Sequence, residues 1–151
     1  MEILTYNIQF ELAKEAFSQA RNLKVLIWIA ISNCQEQISF VAQQTGSDHN
    51  NELQFAKFRG KKHSQAKART AASFGKPTGI LESNIGRSIE IVQQGKFMNV
   101  KGGLPIQKKV NGQIKNYGGL GISGGTPEQD LKIAYRTLGS VGYYVDKTWL
   151  E

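Results

Sequence analysis

The chain has 151 residues, 40% of them hydrophobic and 16 of them glycine, and its 19 Lys and Arg against 12 Asp and Glu give a net charge of +7. With glycine counted, about half of the chain is apolar, as in an ordinary globular domain, which excludes a disordered tail, and the length suits one core, so a single domain over residues 1–151 is expected. The longest apolar run, residues 25–31, is far short of the roughly 20 residues a membrane-spanning helix needs. Glu2, Glu11 and Glu15 are unlike a secretory leader, so a cytoplasmic protein with no membrane contact is expected. Cys34 stands alone, which excludes an internal disulfide and a paired-cysteine zinc site.

Leu4, Ile8, Leu12, Ala16, Ala20 and Leu23 recur at spacings of three and four, which predicts a first helix over residues 4–23. Residues 25–31, short, aliphatic and containing Trp28, predict a strand buried on both faces, and the alternation of residues 37–42 predicts its hairpin partner. Gly46, Ser47, Asp48, Asn50 and Asn51 make residues 43–51 a surface loop. A second helix is expected from about Asn51, broken at Gly60 and continuing through the Ala-rich residues 65–74, where Gly75 ends it and Pro77 prevents its resumption. A short helix over residues 83–92 stops at Gly95. Residues 104–110, the Asn111-Gly112 dipeptide and a strand ending near Ser123 form a hairpin, because both central residues of a type I′ turn need positive φ. Thr126 caps a last helix over residues 127–138, with Pro127 in its first turn and Gln129 closing a capping box; Gly139 ends it and residues 141–145 add a final strand. The order implies an α+β fold with a five-stranded antiparallel sheet and helices packed on it.

Gly121-Ile122-Ser123-Gly124-Gly125 matches a nucleophile elbow, yet the two histidines, His49 and His63, both precede Ser123, whereas such hydrolases place the base after the serine. Gly119 to Gly124 also spells G-x-G-x-x-G with Asp146 further on, but the preceding hairpin argues against the parallel sheet a dinucleotide site requires. The positive charge concentrates in Lys57, Arg59, Lys61, Lys62, Lys67, Arg69 and Lys76, a place for an anion. Phe55 and Phe58 are the nearby aromatics, fewer than base stacking usually asks for.

Two stretches resemble the GlcG/HbpS family, which includes the C-terminal domain of the PduO adenosyltransferases. Residues 67–78, Lys67-Ala68-Arg69-Thr70-Ala71 onward, are similar to its K-A-x-T-A-x-x-F helix. Gly102-Gly103-Leu104-Pro105-Ile106, then Gly118 to Gly125 and Glu128-Gln129-Asp130, are similar to its G-G-x-P-I strand, its glycine turn and its closing helix start. The resemblance implies a profilin-like α/β/α sandwich, assembly into a homo-oligomer (a dimer or larger), and haem or a related tetrapyrrole as ligand, in some members with a link to haem breakdown or iron sensing. Where the family carries D-A-G-G-H this chain has Ser32-Asn33-Cys34-Gln35-Glu36, so Glu36 replaces the family's histidine, and the R-M-D-G-A segment is replaced by residues 43–51.

The leading expectation is therefore a binder of an anionic, largely planar molecule such as haem, in a groove near the second helix and the glycine turn. Lys67, Arg69, Thr70, His63, Tyr117, Gly121 and Ser123 are its candidate ligand-binding residues, and Cys34, His63 or Tyr117 its candidate iron ligand. The first alternative is an enzyme on the same scaffold acting on a small carboxylated metabolite, with Glu36 as acid or base. A nucleic-acid or protein adaptor using residues 57–69 ranks third.

Overall fold

The computed structural model describes residues 4–47, 49–81 and 94–151. Helix α1 (Tyr6–Asn22) starts where the Thr5 hydroxyl accepts the Ile8 amide at 3.2 Å, and it buries Leu12, Ala13, Ala16 and Ala20. The backbone then turns through Lys24 at φ 58°, so strand β1 (Trp28–Ser32) begins three residues later than the apolar run suggests. It pairs antiparallel with β2 (Ile38–Gln43).

Residues 43–51, expected as a loop, instead contribute β3 (Thr45–Ser47), which pairs with β4 (Leu53–Phe55) in a small two-stranded ribbon. Helix α2 accordingly starts only at Gly60 and runs to Phe74, ending at the left-handed Gly75 as expected. The helix expected over residues 83–92 lies outside the described residues.

Strands β5 (Gly103–Val110) and β6 (Gln113–Ser123) form the expected hairpin, with Asn111 and Gly112 at φ 52° and 78°. Helix α3 (Pro127–Val141) has the full capping box of Thr126 and Gln129. It passes through Gly139 and ends at Gly142, which takes the left-handed conformation at φ 101°. Residues 141–145 form no strand; their link to the sheet is the Tyr144 amide donating to the Gln107 carbonyl at 2.8 Å. Among the described residues the main antiparallel sheet therefore has four strands, not five, in the order β2-β1-β6-β5.

The two faces of this sheet differ in side-chain size. Ile29, Ile31, Leu104, Ile106, Leu120 and Ile122 face α1 and α3, where they join Leu12, Leu131, Ile133 and Leu138 in the core. The alternate positions Gly119 and Gly121 face α2, and a methyl group on them would overlap the backbone carbonyls of Ala68 and Ser64. The helix axis thus sits unusually close to β6, held by backbone proximity as well as by burial of Ala66, Ala68, Ala71 and Ala72. The result is an α/β/α sandwich. No helix among the described residues is long and apolar enough to cross a membrane.

Candidate functional site

The first turn of α2 meets the start of β1. Gly60 lies against the indole of Trp28, whose Nε1 donates to the Lys57 carbonyl at 3.0 Å and so fixes the ring. Beside it opens a cavity of about 840 Å³ lined by Trp28, Phe58, Arg59, Lys61, Lys62 and His63, among others. Small-molecule sites typically run about 300–1,000 Å³ with mostly apolar walls and a few charged groups. Phe58 is 92% exposed. His63 is half-buried, and burial first, then the charges of Lys67, Arg59 and Lys62, push its pKa below the ordinary imidazole value. Its ring is therefore neutral at pH 7, the form that ligates a metal.

The centre of α2 is turned inward. Lys67 and Asp130, each 3% exposed in the side chain, form an ion pair at 3.1 Å, and the Lys67 Nζ also donates to the Ile122 carbonyl at 2.9 Å. The Lys67 ammonium, expected at the mouth of a groove, is thus spent inside the fold, where it ties α2 to β6 and α3. Burial pulls the Lys67 pKa down, with Asp130 opposing, and pushes the Asp130 carboxyl up, with Lys67 opposing. The Thr70 hydroxyl donates to the Ala66 carbonyl at 2.7 Å and accepts the Met98 amide at 2.9 Å. Gly121 and Ser123 lie beneath the α2 backbone, both buried.

The start of α3 is equally occupied by the chain itself. The amides of Gly125, Thr126 and Gln129 donate to Asp130 Oδ1, Gln129 Oε1 and Thr126 Oγ1 at 2.9, 2.9 and 3.2 Å. Asp146 caps the 3₁₀ turn Lys147–Leu150, its Oδ1 accepting the Thr148 amide at 2.9 Å.

The far end of α2 meets the β1–β2 turn. Glu36, at φ 64°, accepts a hydrogen bond from the Ser73 hydroxyl and pairs with Lys96 at 3.3 Å. The Ser73 hydrogen bond above all, with Lys96 and Arg69 adding, holds the carboxyl below the usual carboxylate range. Such a group is ionised at neutral pH and a weak proton donor or acceptor there. Arg69 faces this cluster, and its Nη2 donates to Gln65 Oε1 at 3.4 Å. The Cys34 thiol donates to the Asn116 carbonyl at 3.3 Å, and partial burial raises its pKa. Tyr117 sits at the β-bulge opposite Ile106 and Gln107 and packs on the core.

Of the candidate ligand-binding and iron-ligand residues, the structure therefore puts His63 in the groove, beside Arg59, Lys61 and Lys62 of the basic run. Lys67, Thr70, Gly121 and Ser123 lie in the buried layer, and Cys34, Glu36 and Arg69 at the opposite end. His63 and Ser73 are ten residues apart, about 15 Å along the helix. Sequence reasoning did not assign Trp28 to the site, because its strand position reads as core. Phe58, an aromatic inside the basic run just before a helix, was the available signal.

The family model described as haem degrading protein HbpS-like matches residues 4–138. The chain belongs to the HbpS-like family. No curated protein sequence matches it significantly. Among solved structures, a crystal structure of a PduOC:heme complex resembles this HbpS-like chain with a TM-score of 0.77 and 23% identity, covering 95% of this chain and 98% of that one. Klebsiella pneumoniae protein ORFY has a TM-score of 0.75 and 21% identity over 93% and 92% of the two chains. A double mutant of Streptomyces reticuli HbpS has a TM-score of 0.73 and 18% identity over 94% and 89%. At these identities the likeness establishes the fold.

Proposed function

We propose that this HbpS-like chain binds haem or another anionic tetrapyrrole in the groove at the N-terminal end of α2. The observation that carries this reading is the conjunction in one cavity of two aromatic side chains, Trp28 and Phe58, three cations, Arg59, Lys61 and Lys62, and the neutral imidazole of His63. A tetrapyrrole is an apolar plate with carboxylates on one edge, so aromatic walls and a cationic rim match its two halves. When bound, haem would supply an iron that the His63 imidazole could ligate. The chain's own part is to hold the plate, to pair the propionates with Arg59, Lys61 and Lys62, and to keep the His63 lone pair free of a proton. The family's description as haem degrading and the haem-bound structural neighbour support the choice of ligand.

The assembly is a homo-oligomer in this reading, which the exposure of Tyr6 and Phe10 on α1 and of Leu53 on the ribbon supports. Titration with hemin tests the ligand: a Soret shift that saturates near one equivalent and is lost in His63→Ala is the expected outcome. A spectrum that shows no saturable shift overturns the proposal. Native mass spectrometry of the freshly purified protein reads subunit number and retained ligand together.

A further inference from the structure

Residues 53–81 contain no Asp or Glu and seven Lys and Arg. Lys67 is neutralised inside by Asp130. Lys57, Arg59, Lys61 and Lys62 are exposed, and neither the Lys67–Asp130 nor the Lys96–Glu36 ion pair includes them. This stretch presents aromatic surface to water, with Phe58 92% exposed at the Trp28 groove and Phe55 59% exposed beside Lys57 on the adjoining cavity. The sequence alone places two aromatics beside these cations, and the fold adds a third by bringing Trp28 from β1 and orienting its ring through the bond to Lys57. Neighbouring aromatic rings left this fully in water make an apolar patch that a partner can cover.

Cations alternating with exposed aromatic rings along one stretch of chain match a particular partner. Phosphates satisfy the charges, and unpaired bases, which all have a π-face, stack on the rings whatever their identity. A duplex hides its base faces, and acidic side chains offer charge without an aromatic face to stack. We infer that the Phe55–Lys62 rim, with Trp28, binds single-stranded nucleic acid without sequence preference: Lys57, Arg59, Lys61 and Lys62 hold phosphates, and Phe58, Phe55 and Trp28 stack bases. This goes beyond the haem reading. The two ligands share the groove mouth, and the strand makes no use of His63.

Fluorescence anisotropy of the full chain with a labelled oligothymidylate about 20 nucleotides long, longer than the sites of about 4–16 nucleotides that single-strand-binding OB folds cover, tests it. Four phosphate contacts give a log–log salt slope of about −2.8, so affinity falls about 50-fold between 50 and 200 mM salt. Lys61→Glu/Lys62→Glu halves that slope or abolishes binding. Phe58→Ala weakens binding at fixed salt roughly five- to 150-fold, the range of one lost base stack. These side chains are exposed, and unchanged thermal transitions confirm that the variants fold. Absence of binding at 50 mM salt overturns the inference, as does an unchanged slope in the double variant. Polyglutamate bound as tightly as the oligonucleotide, with no effect of Phe58→Ala, also overturns it and points to an acidic protein partner. Hemin binding without oligonucleotide binding removes this inference alone, and the reverse result removes the haem reading alone.

Discussion

Replacing Lys67 by methionine keeps most of the side-chain length and removes the charge. Asp130 Oδ2 then loses its partner at 3.1 Å and the Ile122 carbonyl loses a donor at 2.9 Å, while Asp130 Oδ1 keeps the Gly125 amide at 2.9 Å. Removing one member of a buried pair costs about 3–5 kcal/mol, because the other charge stays in a medium that solvates it poorly. For a domain of this length that corresponds to a fall in Tm of roughly 6–20 °C at pH 7. The deficit depends on pH in a defined direction. Burial already raises the Asp130 pKa, and without Lys67 nothing comparable opposes the rise, so the folded variant takes up a proton at a pH where the unfolded chain, near 3.8, does not. The difference from the parent protein therefore shrinks as pH falls from neutral toward 4. Urea titrations and thermal melts followed by circular dichroism between pH 4 and 7 measure both quantities. A loss below about 1 kcal/mol at pH 7, within the range of a surface pair, or a deficit that does not vary with pH, refutes the reasoning.

Gly121→Ala places a methyl group into the Ser64 carbonyl, so α2 must lift from β6, and a loss of at least about 3 kcal/mol is expected in the urea midpoint. Thr137 is fully buried on α3 with its hydroxyl unpartnered among the described residues, so the isosteric Thr137→Val stabilises by about 1 kcal/mol, read as a rise in Tm. Because burial and the neighbouring cations lower the His63 pKa from its ordinary value, hemin affinity holds from pH 8 to 7 and declines only at lower pH as the imidazole takes a proton; a decline already complete at pH 7 contradicts this. Glu36→Gln leaves hemin binding unchanged. Since the folded-state pKa of Glu36 is lowered, its contribution exists above pH 4.5 and disappears as pH falls through the folded value, so the variant and the parent differ by less than about 1 kcal/mol at pH 7 and converge in acid.

What the sequence discloses here is local. The Asn111-Gly112 turn and the Thr126, Pro127 and Gln129 start of α3 are specified by residues within four positions of one another, and both form as expected. Which of Gly139 and Gly142 ends α3 depends on which one adopts positive φ, and neither residue type nor spacing distinguishes them. The β3–β4 ribbon gives no periodic signal, because its strands have three residues each and Leu53 and Phe55 point into water. Lys67 carries no local sign of burial either. Its partner Asp130 lies 63 residues away, and an ammonium in a basic helix reads as solvated until the fold brings the two together. The same holds for Trp28, which joins Phe58 only through the packing of α2 on β1.

The small residues between the middle of α2 and β6 have a bearing on how the surface above them can vary. Alanine and glycine fix that helix from beneath, and the exposed side chains at its start, Arg59, Lys61 and Lys62, stand outside that layer. Substitutions there alter the charge and shape of the surface while the layers below stay as they are. The solved structures that share this frame do so at about one-fifth sequence identity.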